Sequence, residues 1–267
     1  MTAAPDRPIP GHQRTLDGFL ATPAAGVTPK GGVIVVHEIF GLDDHHRDVA
    51  RRFAAAGYVA VAPNLFTGEL AAILTPDKVQ RTMAAMHSAP PDLRRDPSKF
   101  REFAATQPPE IVPVMEAFGR VTSPPALDGF AQDLREVRKV LVGQPGVDPR
   151  RTAAVGFCFG GTVVGRFATV EPELRAGVIF YGQNPPLERV PAIRAALLGL
   201  YGSEDPGITG TVPDLEAAMR AAGKHFEHHV YPGAKHAFFN DQRPNYHEAS
   251  ARDAWNRVLD FFGRELR

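Results

Sequence analysis

Short, continuously apolar runs alternate along this chain with stretches in which apolar residues recur at helical spacing. The run Gly32-Val33-Ile34-Val35-Val36 is apolar throughout and rich in β-branched residues, which predicts a strand buried on both faces, as inside a parallel sheet. Behind it, His45 to Ala56 reads as a helix stopped by Gly57, and Tyr58 to Ala62 as the next strand, stopped by Pro63. Ahead of it, Gly18 to Thr22 predicts a short early strand after a mobile start from Met1 to Gln13. The helical period returns with Leu127, Phe130, Leu134, Val137 and Leu141 on one face, closed by Gly143. A strand from Thr152, a helix through Val164 and Phe167, and strands over Ala176 to Gly182 and Ala195 to Tyr201 follow. Pro213 to Ala222 then reads as a helix and Phe226 to Tyr231 as a strand. A last helix carries Ala254, Trp255, Val258, Leu259 and Phe262 on one face. Strands alternating with helices across short connections predict an α/β fold: a doubly wound, mainly parallel sheet with helices on both faces, in a single domain over residues 1–267.

The alternation breaks between Thr67 and Pro125, a stretch with nine prolines. Thr75-Pro76 ahead of Val79, Met83 and Met86, and Asp96-Pro97 ahead of Phe100 and Phe103, are helix starts. So long an excursion inside a compact domain is usually functional, and residues 67–125 are expected to form a helical cap over the C-terminal edge of the sheet.

The strand from Thr152 ends in Gly156-Phe157-Cys158-Phe159-Gly160-Gly161, and a helical pattern begins at once. Strand, tight turn and helix with a nucleophile at the tip make a nucleophile elbow. Glycine is needed on either side because strand and helix cross closely there. The thiol stands at the positive end of the following helix, where negative charge is favoured.

Composition narrows the chemistry. Lys plus Arg and Asp plus Glu number 30 each, so no global field draws the chain to nucleic acid or to an anionic membrane. Cys158 is the one cysteine, which excludes an internal disulfide, a Cys-x-x-Cys redox pair and a cysteine-rich zinc site. His45-His46 and His228-His229 suggest a metal, but adjacent strand residues face opposite ways, so His228 and His229 cannot readily share an ion. No metal site is expected. The segment Met1 to Gln13 lacks an apolar signal core, and no apolar run approaches the ~20 residues of a membrane span. A cytoplasmic protein, monomeric or homodimeric, is expected.

Cys158, Asp205 and His236 lie just past the ends of three candidate strands, at the edge where open α/β sheets bind ligands. The order nucleophile, acid, histidine is that of the α/β hydrolases. His236 is expected to take the thiol proton and later activate water, with Asp205 fixing the imidazole tautomer; Glu204 is the rival acid. The amides of Ile39 and Phe159 are the candidate oxyanion-hole donors. Glu38, at the end of a buried strand, would compete with His236 for the thiol proton; its other reading is a surface carboxylate pairing with Arg47. Phe40 and Phe159 flank these positions and are candidates to line the pocket, whereas Tyr181 and Tyr201 read as core. A different class, a thiol redox sensor or non-hydrolytic ligand binder, would also use an exposed reactive cysteine, but the chain has no resolving cysteine.

The motifs His37-Glu38-Ile39-Phe40-Gly41, Gly156 to Gly161, Gly202-Ser203-Glu204-Asp205 and Gly233-Ala234-Lys235-His236-Ala237-Phe238 together resemble the dienelactone hydrolase (carboxymethylenebutenolidase) family, from about Gly18 onward. The resemblance implies an α/β-hydrolase fold, no cofactor, and a Cys158-Asp205-His236 triad. It implies that Glu38 holds the resting thiol until substrate releases it. Family chemistry would open an enol-lactone through an acyl-thioester on Cys158; a short-chain carboxylesterase or thioesterase is the neighbouring expectation. The family's substrate-clamping arginine shortly after the histidine is matched here by Ala237-Phe238-Phe239-Asn240. That leaves Asn240, without charge, as the candidate contact, and Arg81 in the insertion as the candidate second clamp.

Overall fold

The computed structural model describes residues 2–3, 6–88 and 102–267. Its strands are β1 (Thr2–Ala3), β2 (Arg7–Pro10), β3 (Thr15–Thr22), β4 (Gly32–Val36), β5 (Val59–Asn64), β6 (Thr152–Phe157), β7 (Ala176–Phe180), β8 (Ala196–Gly202) and β9 (Phe226–Tyr231). They form one sheet in the order β1-β3-β5-β4-β6-β7-β8-β9, with β2 also paired to β3. From β5 to β9 all neighbours are parallel, and only β3 runs antiparallel to its partners. The helices are α1 (Asp44–Ala55), α2 (Glu69–Ile73), α3 (Pro76–Ser88), α4 (Val112–Val121), α5 (Pro124–Val142), α6 (Phe159–Val170), α7 (Pro206–Thr209), α8 (Val212–Ala221) and α9 (Glu248–Glu265).

The alternation of side chains along each strand divides the interior in two. Val33 and Val35 of β4 pack with Phe53 of α1 and Val258 and Phe262 of α9. Ile34 and Val36 face the other way, toward Leu134 and Val137 of α5, Val163 and Phe167 of α6, and Leu215 of α8. Every residue of β4 is buried, as a β-branched run inside a parallel sheet requires. No helix among the described residues is long and apolar enough to cross a membrane.

Differences from the sequence reading cluster at boundaries. Helix α5 starts at Pro124, because prolines fit the first helical turn. The segment from Arg7 to Pro10 is not part of the mobile start expected: β2 pairs with β3 from Arg7↔Gly18 to Pro10↔Thr15, and Ile9 is buried. Its prolines obscured the strand, and prolines are tolerated at such an edge. In the 67–125 stretch, α3 begins at Pro76 as Thr75-Pro76 predicts, and Leu74, Val79, Val114, Ala117 and Val121 join the core on the α5 side. The helix start at Asp96-Pro97 with Phe100 lies outside the described residues.

Candidate active site

Strand β6 ends at Phe157 and α6 begins at Phe159, so Cys158 alone makes the turn. It does so with φ 53° and ψ −114°, in the left-handed half of the backbone map that a β-carbon disfavours. The glycines are steric necessities. A Cβ on Gly156 would lie 2.1 Å from the Gly160 carbonyl oxygen, and one on Gly160 would lie 2.4 Å from that of Val36. The Cys158 amide is tied down by the Phe180 carbonyl at 3.0 Å.

The loops after β8 and β9 bring up the remaining partners. His236 Nδ1 donates to Asp205 Oδ2 at 2.5 Å, and the same imidazole lines the cavity together with Cys158. Burial works against the imidazolium, but negative charge on Cys158 and the bond to Asp205 outweigh it, so His236 is pushed up to about 11. The acid facing His236 is therefore Asp205, not Glu204. The N–H groups of Ile39 and Phe159 donate to no protein acceptor among the described residues; that of Phe159 is at the start of α6, where helical N–H groups lack partners.

Glu38 is buried, with 1 % of its surface exposed. Its Oε1 accepts from the Tyr181 hydroxyl at 3.2 Å and its Oε2 from Asn240 Nδ2 at 2.8 Å. Arg47, the alternative partner, bonds Asp6 and Asp44 instead. Burial, then the charge of Glu38, raises the Tyr181 hydroxyl well above its ordinary range, which keeps it a donor. Tyr181, read as core, is thus part of the polar site, and its positive φ of 38° is the backbone feature that the sequence could not signal.

Two further histidines sit behind the site. His37 Nε2 accepts from the Leu65 amide at 2.9 Å, so Nδ1 carries the proton and donates to the Glu38 carbonyl at 2.6 Å. Complete burial depresses His37 to about 3. His46 Nε2 accepts from the Glu38 amide at 3.2 Å, and its Nδ1 donates to Asp43 Oδ1 at 2.5 Å. Burial would raise Asp43, but its hydrogen bonds to His46 hold it well below the usual carboxylate range.

Cys158 and His236 open onto a cavity with two connected lobes. One, of about 480 Å³, is walled by Met83 and Met86 of α3, Met115 and Phe118 of α4, Leu127 and Phe159. The other, of about 800 Å³, is lined by Glu38, Phe40, Gln80, Asp205, Gln242 and Arg243. Arg243 was missed by sequence reasoning; its guanidinium lies 3.6 Å from the Phe40 ring centroid and 3.6 Å from Asp43, and its Nε is buried without a partner. No motif contains it, and only the turn after His236 brings it back to the cavity. Of the three residues proposed from the sequence for substrate contact, Phe40 lines the cavity and the other two lie elsewhere. Asn240 is fully buried against Glu38. Arg81 is mostly exposed and pairs with Asp77 at 2.9 Å; being two positions from both Val79 and Met83, it falls on the opposite side of α3 from the residues that face inward.

The model of the dienelactone hydrolase family matches residues 16–266. A protein of Saccharolobus solfataricus named "Putative carboxymethylenebutenolidase" is 38% identical over 247 residues, covering 92% of this chain and 93% of that one. One of the same name from Escherichia coli K12 is 33% identical over 265 residues, covering 95% and 84%. Among solved structures, one titled "Putative Dienelactone Hydrolase" from Klebsiella pneumoniae superposes with a TM-score of 0.72 at 31% identity, covering 98% of each chain. The fold is accordingly that of the α/β hydrolases.

Proposed function

We propose, starting from the fact that this chain belongs to the dienelactone hydrolase family, that it is a hydrolase of esters and lactones working through Cys158 as nucleophile. The observation that carries this reading is the imidazole of His236, bonded to Asp205 and lining one cavity with Cys158. The Cys158 sulfur attacks the carbonyl carbon, and its proton resides on His236 Nε2. The charge that develops on the carbonyl oxygen is received by the amides of Ile39 and Phe159. Collapse breaks the carbon–oxygen bond of the ester or lactone, and His236 protonates the leaving oxygen. Water, deprotonated by the now neutral His236, attacks the thioester; the carboxylic acid leaves, and sulfur recovers its proton from His236. Asp205 holds the tautomer throughout and stabilises the imidazolium.

Residues 67–125 act in this reading as a cap, since α3 and α4 supply the methionine and phenylalanine wall that keeps bulk water from the thioester. Glu38 lines the same lobe as Cys158, its carboxylate oxygens bonded by Tyr181 and Asn240, and competes with His236 for the thiol proton until substrate enters. With Asn240 occupied in this way, Arg243 is the cation that meets a substrate carboxylate. The test is turnover of p-nitrophenyl acetate and of an enol-lactone with wild type and Cys158→Ala, with mass spectrometry of quenched reactions. Loss of turnover in the variant and an acyl adduct on Cys158 in wild type support the proposal. Equal rates in the two proteins sink it, and oxidation of the thiol to a sulfenic acid without turnover of any ester would favour a redox role instead.

A further inference from the structure

We propose that His37 is a positioning residue of the oxyanion hole: by bonding the Glu38 carbonyl it aims the Ile39 N–H, at the other end of the same peptide unit, at the reacting oxygen. The inference rests on the hydrolase reading above. A trans peptide is planar, with its C=O and N–H pointing in opposite directions, so whatever grips the carbonyl sets the direction of the N–H. The Glu38 carbonyl is gripped by His37 Nδ1 at 2.6 Å and, more loosely, by the Gly41 amide at 3.3 Å. The histidine is itself fixed: its Nε2 accepts from the Leu65 amide at 2.9 Å, so the ring bridges the chain after β4 to the chain after β5. It is wholly buried, with Phe66 at 4.9 Å and the Phe159 ring stacked at 6.0 Å, centroid to centroid. Phe159, whose amide is the second donor, thus stacks its side chain on the ring that bonds the Glu38 carbonyl. The preceding peptide is held in the same manner, its Glu38 N–H donating to His46.

Imidazole suits this post because it offers one donor and one acceptor on a rigid frame. Burial holds it neutral down to about pH 3, so the tautomer that serves the carbonyl persists at any working pH. A hydrogen bond to a peptide oxygen also polarises the peptide and strengthens its N–H as a donor.

The variants His37→Gln and His37→Asn separate the two ring nitrogens. Glutamine reaches the Nε2 position and can still accept from Leu65, but loses the Nδ1 donor; asparagine keeps an N–H near Nδ1 and loses the other contact. Removal of an oxyanion donor costs about 10²–10³ in kcat, and a donor present but unaimed should cost part of that. Acylation by p-nitrophenyl acetate is expected to slow by about 10- to 100-fold in His37→Gln, with KM within about threefold, and to recover at least about tenfold in His37→Asn. Alkylation of Cys158 by iodoacetamide develops no oxyanion and is expected to be unchanged in both. Equal slowing of acylation and alkylation, or acylation indifferent to His37→Gln, overturns the proposal. Should His37→Gln fail to fold, His37→Asn decides alone: acylation within about fivefold of wild type sustains the proposal, and a larger loss overturns it. Cys158→Ala is run beside them. Turnover that survives there refutes the cysteine reading and this proposal with it, whereas Cys158-dependent acylation that ignores His37 refutes only the latter.

Discussion

The Arg243 guanidinium rests on the Phe40 ring and has Asp43 3.6 Å away, beyond hydrogen-bonding range, with its Nε unpartnered inside the cavity wall. A buried donor left unpaired is costly, and a charged acceptor arriving from a ligand offsets that cost. Arg243→Met is therefore expected to raise KM for a carboxylate-bearing enol-lactone by roughly 10- to 100-fold, the worth of a charge-assisted hydrogen bond. Its neutral methyl ester should be hydrolysed at an unchanged rate; steady-state kinetics on the pair checks this, and equal effects on both would remove Arg243 from substrate recognition. His37 yields a second expectation at this scale. Its folded pKa, about 3, lies below the unfolded value of about 6.5. The unfolded chain thus binds the extra proton between these limits, and the contribution of the neutral ring is present above pH 6.5 and lost as pH falls. At pH 5 the loss is on the order of 2 kcal/mol. Urea unfolding at pH 7 and pH 5 should show wild type losing about that much more than His37→Asn. Of the residues at this sheet edge, Cys158, Asp205 and His236 were legible as candidates, because their order and motifs single them out. Tyr181 and Arg243 were not, because each acts through a contact made by a turn of the backbone.

At the scale of elements, the elbow between β6 and α6 is the most tightly constrained feature. Gly160 sits against the Val36 carbonyl, where a methyl group would come within 2.4 Å of the oxygen. Backbone cannot yield there without parting α6 from the end of β4. Gly160→Ala is expected to cost at least about 3 kcal/mol, in the range of overpacking and backbone strain, and to abolish turnover; denaturant titration with a parallel activity assay tests it. Helices α3 and α4 are looser in their demands, since Met83, Met86, Met115 and Phe118 border a cavity as well as the core. Filling that lobe with Met115→Trp should leave hydrolysis of an acetyl ester within about threefold and cut that of an octanoyl ester by at least about tenfold, the worth of an apolar contact of this size. A chain-length series of p-nitrophenyl esters provides the measurement. The strands and long helices were legible because a period of alternation or a helical face is written in every few residues. The short β2 was not, because Pro8 and Pro10 read as breakers until β3 offers an edge to pair with.

For the molecule as a whole, one sheet separates two cores, and Cys158 packs against both. Phe66 packs at 4.9 Å from His37 and 5.2 Å from Phe159, whereas Phe262 packs against Phe53 at 5.8 Å and Tyr58 at 6.1 Å on the opposite face. Truncating either to alanine should destabilise the fold by about 3–5 kcal/mol. Only Phe66→Ala should also lower kcat, because the cavity opens beside the ring that holds the Glu38 carbonyl; thermal melts and kinetics on the two variants compare the effects. By itself the sequence determined the layered α/β architecture, the elbow, and the succession Cys158, Asp205, His236, since these follow from local periodicity and from steric needs that only particular residue types meet. Only the tertiary structure decided that Asn240 is bound to Glu38, that Arg81 is turned to the surface, that Arg243 lines the cavity and that His37 bonds the Glu38 carbonyl. Those are matters of which side chains converge at a sheet edge from positions far apart in the chain, and convergence is fixed by packing, which no local pattern records.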